Sequence, residues 1–428
     1  MKIKNRKLSY DAVNALPRPK HRNPMKPNIV LTTVVRLASF LDTIPTRFTY
    51  KKHRMEAAGK GPWLILMNHS SFIDLKLASA IFYPKPYNIV CTTDALVGKP
   101  LLMRMLGCIP TQKFVTDLTL IRDILYALRE LNTSVLMYPE AGYSFDGRAT
   151  ALPKKMGVLL KKLDVPVVTV ITRGAFARDP LYNGLQLRKV KVSADVTCLL
   201  TREEIKEKSV AELDAILEQA FTFDAFRWQR ENGIEIKEAF RADGLNRVLY
   251  KCAHCGEEGK MEGSENTLRC HACGKTWELT TEGRLEATDG ETRFDHVPDW
   301  YEWQRETVRQ ALHDGSFRLN LDVDIAMMVD YKALYRVGSG RLLQNENGFE
   351  LTGCDGELHY TQSPLASHTL NSDFFWYEIG DVISIGDRDR LFYCFPREKD
   401  VVTKARLAQE ELYKMKKAVR RAAGKTEE

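Results

Sequence analysis

Trp63-Leu64-Ile65-Leu66-Met67-Asn68-His69-Ser70-Ser71-Phe72-Ile73-Asp74 is the stretch on which the reading of this 428-residue chain turns. Its first five residues are uniformly apolar and predict a buried strand, while Leu75-Lys76-Leu77-Ala78-Ser79-Ala80-Ile81 predicts a helix. His69 therefore stands on the turn leaving a strand, with Asp74 five positions later in the first helical turn. Such a turn can return the carboxylate to one ring nitrogen and leave the other free to take a proton, as a general base requires. The same residues also have a purely structural reading. Ser71-Phe72-Ile73-Asp74 fits a capping box that satisfies the orphan donors of a helix start, with His69 a hydrogen-bonded loop residue.

Outward from this point, strands and helices alternate. Strands are expected at 88–93, 134–138, 165–171 and 189–196. Helices are expected at 101–106, 118–128 and 152–163, with another opening at Thr201-Arg202-Glu203-Glu204 by a capping box and running through Phe221. This alternation predicts an α/β layer structure. The residues able to do chemistry fall at strand ends and on loops, where such folds place sites.

The H-x4-D pattern resembles the first motif of the glycerolipid acyltransferase family, which includes the 1-acylglycerol-3-phosphate acyltransferases. Three further stretches follow in that family's order. Gly107-Cys108-Ile109-Pro110-Thr111-Gln112-Lys113 is similar to its second motif, and Tyr138-Pro139-Glu140-Ala141-Gly142-Tyr143-Ser144 to its third, usually Phe-Pro-Glu-Gly-Thr-Arg-Ser. Val165-Pro166-Val167-Val168-Thr169-Val170 is similar to its fourth. The resemblance spans residues 60–222 and implies acyl transfer from a thioester, acyl-CoA or acyl carrier protein, to the hydroxyl of a lysophospholipid. His69 would be the general base, Asp74 its orienting partner, with neither a covalent enzyme intermediate nor a catalytic metal. Lys113, Glu140, Gly142, Ser144 and Arg148 are the candidate substrate-binding residues.

The sequence departs from the family at two points. Lys113 stands where the second motif usually ends in Arg, and Ala141-Gly142-Tyr143 where the third usually carries Gly-Thr-Arg. A lysine holds phosphate as a point charge and not as a bidentate fork. Arg148 and Arg173 are the candidate replacements, and the acceptor is open between lysophosphatidic acid, another lysolipid and another alcohol. Glu140 is either a ligand for acceptor hydroxyls or a partner of nearby backbone amides. The altered third motif also fits an alternative, a non-catalytic lipid-binding or regulatory protein that retains the fold.

Charge is unevenly spread. Residues 1–60 hold 14 Lys or Arg against Asp11, Asp42 and Glu56, a surplus of eleven, so with +7 overall the remainder is about −4. A basic segment on a near-neutral body suits an anionic surface, nucleic acid or acidic lipid, and equally fits a solvated basic tail; a membrane surface with anionic lipids is the expected partner. Nucleic acid is not the expected partner, because no aromatic-interleaved basic sheet or recognition helix accompanies the charge. Residues 1–27 carry Pro17, Pro19, Pro24 and Pro27 and are expected to be extended or loosely held. A helix is expected over 29–44, with Val30, Val34, Leu37, Leu41 and Ile44 at helical spacing. At roughly 24 Å it is too short to span a bilayer. It fits either an interfacial helix or a helix packed on its own domain. No signal peptide and no spanning helix are expected, which gives a cytoplasmic, peripherally membrane-associated protein.

Beyond residue 250 the texture changes. Cys252-x-x-Cys255-Gly and Cys270-x-x-Cys273-Gly offer four thiolates, the donor set of a closed structural zinc site in a zinc ribbon at 250–280. The other five cysteines are scattered in apolar runs, the pattern of buried thiols and not of a disulfide framework. A connecting helix is expected at 297–313. Short strands follow at 317–323, 333–337, 341–344, 348–352, 357–361, 374–379, 382–385 and 391–395, separated by turn signals that include Gly338-Ser339-Gly340. A helix at 401–423 closes the chain. Many strands followed by one helix resembles a pleckstrin-homology or GRAM-like barrel. The expected domains are thus 1–60, 61–245, 250–280 and 297–425.

Overall fold

The computed structural model describes residues 2–113, 118–184 and 186–425. Its α/β part is a seven-stranded sheet in the order Thr49–His53, Ser193–Leu200, Val167–Arg173, Leu64–Met67, Ser134–Met137, Tyr87–Thr92, Cys108–Thr111. Neighbours run parallel except Val167–Arg173 against Ser193–Leu200. Leu64–Met67 is central and covered on both faces, which is why it reads as an unbroken apolar run. Ile65 and Met67 face one apolar layer, with Leu77 and Ile81. Leu64 and Leu66 face the other, with Ile124, Leu128, Leu160 and Leu217.

Several elements differ from expectation. The helix expected over 152–163 begins only at Met156, after Pro153. The strand expected over 189–196 runs Ser193–Leu200. The helix opening at Thr201 is two helices, Arg202–Glu207 and Val210–Ala220, because Ser209 forms a second capping box with Glu212. Residues 1–27 are not simply extended. Asn5–Lys7 pairs in parallel with Leu334–Arg336, and Tyr10–Asn14 is a short helix that buries Tyr10 and Val13. The strand Leu334–Asn345 outruns its neighbour Gly348–Gly353, which covers only 340–345, and the N-terminal strand fills the edge left open.

A four-stranded antiparallel sheet is formed by Met261–Ser264, Thr267–Cys270, Thr276–Leu279 and Leu285–Ala287; Cys270 ends its second strand, Cys255 and Cys273 lie in turns, and Cys252 precedes the sheet. The helix Val297–His313 follows. The β-rich part has seven antiparallel strands: Leu319–Met327, Leu334–Asn345, Gly348–Gly353, Leu358–Gln362, Asn371–Trp376, Gly380–Gly386 and Leu391–Pro396. In the sheet they stand as fourth, third, second, first, seventh, sixth, fifth, and the helix Val402–Lys425 packs on them. Gly338-Ser339-Gly340 is not a turn but the middle of the second strand. A Cβ on Gly340 would lie 2.1 Å from Thr352 O, so this glycine permits close strand approach, which mimics a turn signal in the sequence. One apolar core runs from Phe145 and Phe226 through Trp277 and Trp300 to Val323 and Phe392, joining all three parts.

The helix Ile29–Thr43 is capped by Asn28, whose side chain accepts from Val30 N–H and Leu31 N–H. It turns Ser39 and Thr43 inward, whereas Val34, Leu37 and Leu41 are 57%, 60% and 82% exposed. Its amphipathicity is thus inverted relative to a helix that packs on its own domain. Among the described residues no helix is long and apolar enough to cross a membrane.

Candidate active site

The turn after Leu64–Met67 is held from several sides. Asn68 locks it to the neighbouring strand end by accepting from Thr172 N–H at 2.7 Å and donating to Thr172 O at 3.2 Å. Asp74 opens the helix Asp74–Phe82 and folds back over the turn. Its Oδ2 lies 3.1 Å from His69 Nδ1 and accepts from Ser70 N–H at 2.8 Å and Ser71 N–H at 3.0 Å. The reciprocal capping box is absent, since the N-cap is Ile73 and makes no side-chain bond. One carboxylate thus satisfies the turn's amides and fixes the imidazole, so the structural and chemical readings of this stretch coincide. With Nδ1 donating, Nε2 carries the lone pair, and among the described residues it has no hydrogen-bond partner.

Two tyrosines sandwich the His69 ring, Tyr138 at 4.1 Å and Tyr143 at 3.9 Å between centroids. Burial pushes the His69 pKa below its ordinary 6.5, and Lys113 adds to the effect, against the pull of Asp74. A neutral imidazole with a fixed tautomer is a competent proton acceptor. Tyr143 occupies the position where the family usually has Arg; neither tyrosine's contact with the ring was legible in the sequence.

The expected substrate-binding residues divide. Glu140 is buried, and its oxygens accept from His69 N–H at 2.7 Å and Thr150 N–H at 3.1 Å. It thereby takes the backbone role and ties the His69 turn to the following loop. Burial pushes its carboxyl up to about 7, against the pull of those donors. Ser144 is likewise consumed inside its loop, donating to Arg148 O and accepting from Gly147 N–H. Gly142 is buried beside them. Ala141, where the family usually has Gly, holds a φ of 53°. Lys113 acts electrostatically on His69 and, among the described residues, makes no hydrogen bond or ion pair. Arg148 and Arg173 both line a cleft of about 420 Å³ that reaches Ser70, next to His69. Arg148 lies 3.4 Å from Asp299 and Arg173 3.3 Å from Asp195.

The four cysteine sulfurs lie within 4.8 Å of one another, with Cys252–Cys273 and Cys255–Cys270 each 3.8 Å apart. Tetrahedral Zn–S bonds of about 2.3 Å imply sulfurs about 3.8 Å apart, so the donor set fits such an ion. The two knuckles match. Gly256 N–H bonds Cys252 O and Gly274 N–H bonds Cys270 O, with both glycines at positive φ, 81° and 79°.

Residues 44–173 match the family model described as Acyltransferase. Among solved structures, the chain is similar to the 1-acyl-sn-glycerophosphate (LPA) acyltransferase PlsC from Thermotoga maritima. That match has 17% identity and a TM-score of 0.33, covering 44% of this chain and 76% of that one. No curated protein matches the chain. The residues matched to the Acyltransferase model include His69 and Asp74, and the match supports the glycerolipid acyltransferase resemblance for this part of the chain.

Proposed function

We propose that this protein transfers an acyl group from acyl-CoA or acyl carrier protein to the free hydroxyl of a lysophospholipid, 1-acylglycerol-3-phosphate or a relative. The observation that carries the proposal is the 3.1 Å contact of Asp74 with His69 Nδ1, which leaves Nε2 unengaged. Nε2 takes the acceptor's proton as the hydroxyl oxygen attacks the thioester carbonyl. A C–O bond forms, the C–S bond breaks, and the leaving thiolate receives the proton back. Positioning both substrates supplies much of the remaining acceleration.

Around that chemistry we assign supporting roles. The exposed apolar face of Ile29–Thr43, beside the basic N-terminal segment, seats the protein peripherally on the cytoplasmic face of an anionic membrane. The four cysteines hold a structural zinc, since four thiolates leave no open position for a substrate. The sheet order of the β-rich part and its closing helix support the pleckstrin-homology-like reading.

The test is acyl transfer by the purified chain and by His69→Ala, with both donors and a panel of lysophospholipids. Product from wild type that is lost in a folded His69→Ala supports the reading. Equal rates refute the general base. For the membrane, Leu37→Glu with Leu41→Glu is expected to abolish flotation with anionic vesicles at unchanged Tm; unaltered flotation removes this helix as the anchor.

A further inference from the structure

A second cavity, of about 460 Å³, lies where the start of the helix Met156–Leu163 meets the last turns of the closing helix Val402–Lys425. It shares no lining residue with the cleft beside His69. Four cations line it: Lys154 and Lys155 from the loop before Met156, Lys417 and Arg421 from the closing helix. Asp214 and Glu218, of the helix Val210–Ala220, are its carboxylates. Four positive charges against two negative leave a surplus of two. Among the described residues none of the six forms an ion pair. Asp214 Oδ1 accepts from Gly157 N–H at 2.7 Å, and Lys417 donates to Tyr413 OH at 3.1 Å. Folding thus gathers like charges from two distant stretches of chain and puts no counter-charge in contact with them. Cations that converge on a concave site focus their field there and draw an anion.

The donor set and the lining narrow the anion. Three of the four cations are lysines, which act as point charges and suit a tetrahedral phosphate; a planar carboxylate is better matched by a guanidinium fork. The surplus of two charges matches a phosphomonoester dianion. Leu152, Met156 and Leu217 line the same cavity, and Met156 and Leu217 are buried. Apolar lining beside a few convergent polar groups is the ordinary make-up of a small-molecule site. We propose that this cavity is a second, non-catalytic site for a phosphomonoester carried on an apolar body, clasped between the loop before Met156 and the closing helix. None of its residues is among those assigned to acyl transfer.

The test uses the full chain and isothermal titration calorimetry at fixed ionic strength and about pH 7.5, where a phosphomonoester is mostly dianionic. The probes are glycerol 3-phosphate, dioctanoyl phosphatidic acid and, as a monoanion control, acetate. Wild type is expected to bind a phosphomonoester probe and not acetate. Lys417→Gln with Arg421→Gln is expected to weaken that binding at least about tenfold, with the Tm of the unliganded chain unchanged. Lys155 stands at a φ of 66°, a conformation that glycine adopts freely, so Lys155→Gly removes a charge without threatening the fold and is expected to weaken binding about threefold or more. Tighter binding of the phosphatidic acid assigns the site to a lipid head group, and equal binding assigns it to a soluble phosphomonoester. Binding of neither probe overturns the proposal, as does an equal response to acetate. Binding undiminished by both sets of substitutions also overturns it, because the phosphate then sits elsewhere. Turnover is not the readout, so failure of the acyl-transfer reading would leave this result standing.

Discussion

Asp74→Asn separates the orientation of His69 from its charge stabilisation. Three donors converge on Asp74 Oδ2: His69 Nδ1 at 3.1 Å, Ser70 N–H at 2.8 Å and Ser71 N–H at 3.0 Å. An asparagine must place its carbonyl oxygen there, because its NH2 group would oppose two backbone donors. The tautomer with the proton on Nδ1 therefore survives, and Nε2 still accepts. What disappears, in the proposed mechanism, is the negative charge beside the imidazolium that forms as the acceptor loses its proton. At about 4 Å and an effective dielectric of about 20, that interaction is worth about 4 kcal/mol. The corresponding loss in rate is about 10³-fold.

The asparagine NH2 replaces Oδ1, which is buried and has no partner, so stability falls as well, by about 1–3 kcal/mol. The assay is kcat and KM from thiol release, with urea unfolding of the same samples. The expected result is a kcat lower by about 10³-fold and KM values within about twofold, since the lost interaction exists only as charge develops. A folded Asp74→Asn with kcat within about tenfold of wild type would refute the reasoning, because the carboxylate charge would then be idle. Asp74→Ala is expected to be less stable than Asp74→Asn, since it also strands the Ser70 and Ser71 amides.

Other predictions follow from the same structure. Burial holds the His69 pKa below 6.5, so the acidic limb of kcat/KM is expected below pH 6.5, and a limb above that value would mean that another group limits the base. Burial opposes ionisation of Glu410, but Arg305 and Arg406 outweigh it and hold its carboxyl down at about 2. Its folded pKa lies below its unfolded value, so about 3 kcal/mol of stability is present above pH 4.5 and lost as pH falls toward 2. Glu410→Gln is expected to remove a similar amount at pH 7, read by urea unfolding, and an unchanged midpoint would show that the pairs only offset desolvation. Metal removal by a chelator is expected to release one zinc per chain and lower the Tm of the whole chain in a single transition. The Cys270 sheet packs on the helix Val297–His313 through Trp277 and Trp300, 4.9 Å apart, and the helix cap His296 bonds Asp224 of the α/β part at 2.8 Å, within one apolar core. Loss of the ribbon alone, with turnover and Tm intact, would show the parts to be independent.

What was legible in the sequence is what nearby residues determine. The Leu64–Met67 strand, the His69–Asp74 pair and the four cysteines are each specified within one local unit, where spacing along the chain is already spacing in space. The turn at Gly338-Ser339-Gly340 was misread because glycine serves close strand approach as well as turning, and only the partner Thr352 tells the two apart. Glu140 was ambiguous because its partners, His69 N–H and Thr150 N–H, lie on different loops.

Residues that reach the site from the far end of the chain were not legible at all. Phe374, which stacks on Phe145, and Arg406, which donates to Tyr143 O, carry no local signature, since their meaning depends on how the β-rich part docks against the third motif. That docking gives the altered third motif a physical sense. Where the family has Arg, this chain has Tyr143, which stacks on His69 through a loop braced by Phe374 and Arg406. A ring there, on a loop whose backbone Arg406 holds, makes the surroundings of His69 depend on the β-rich part. Arg406→Ala should then alter KM for the acceptor more than KM for the acyl donor. An equal change in both would make that contact one of general stability.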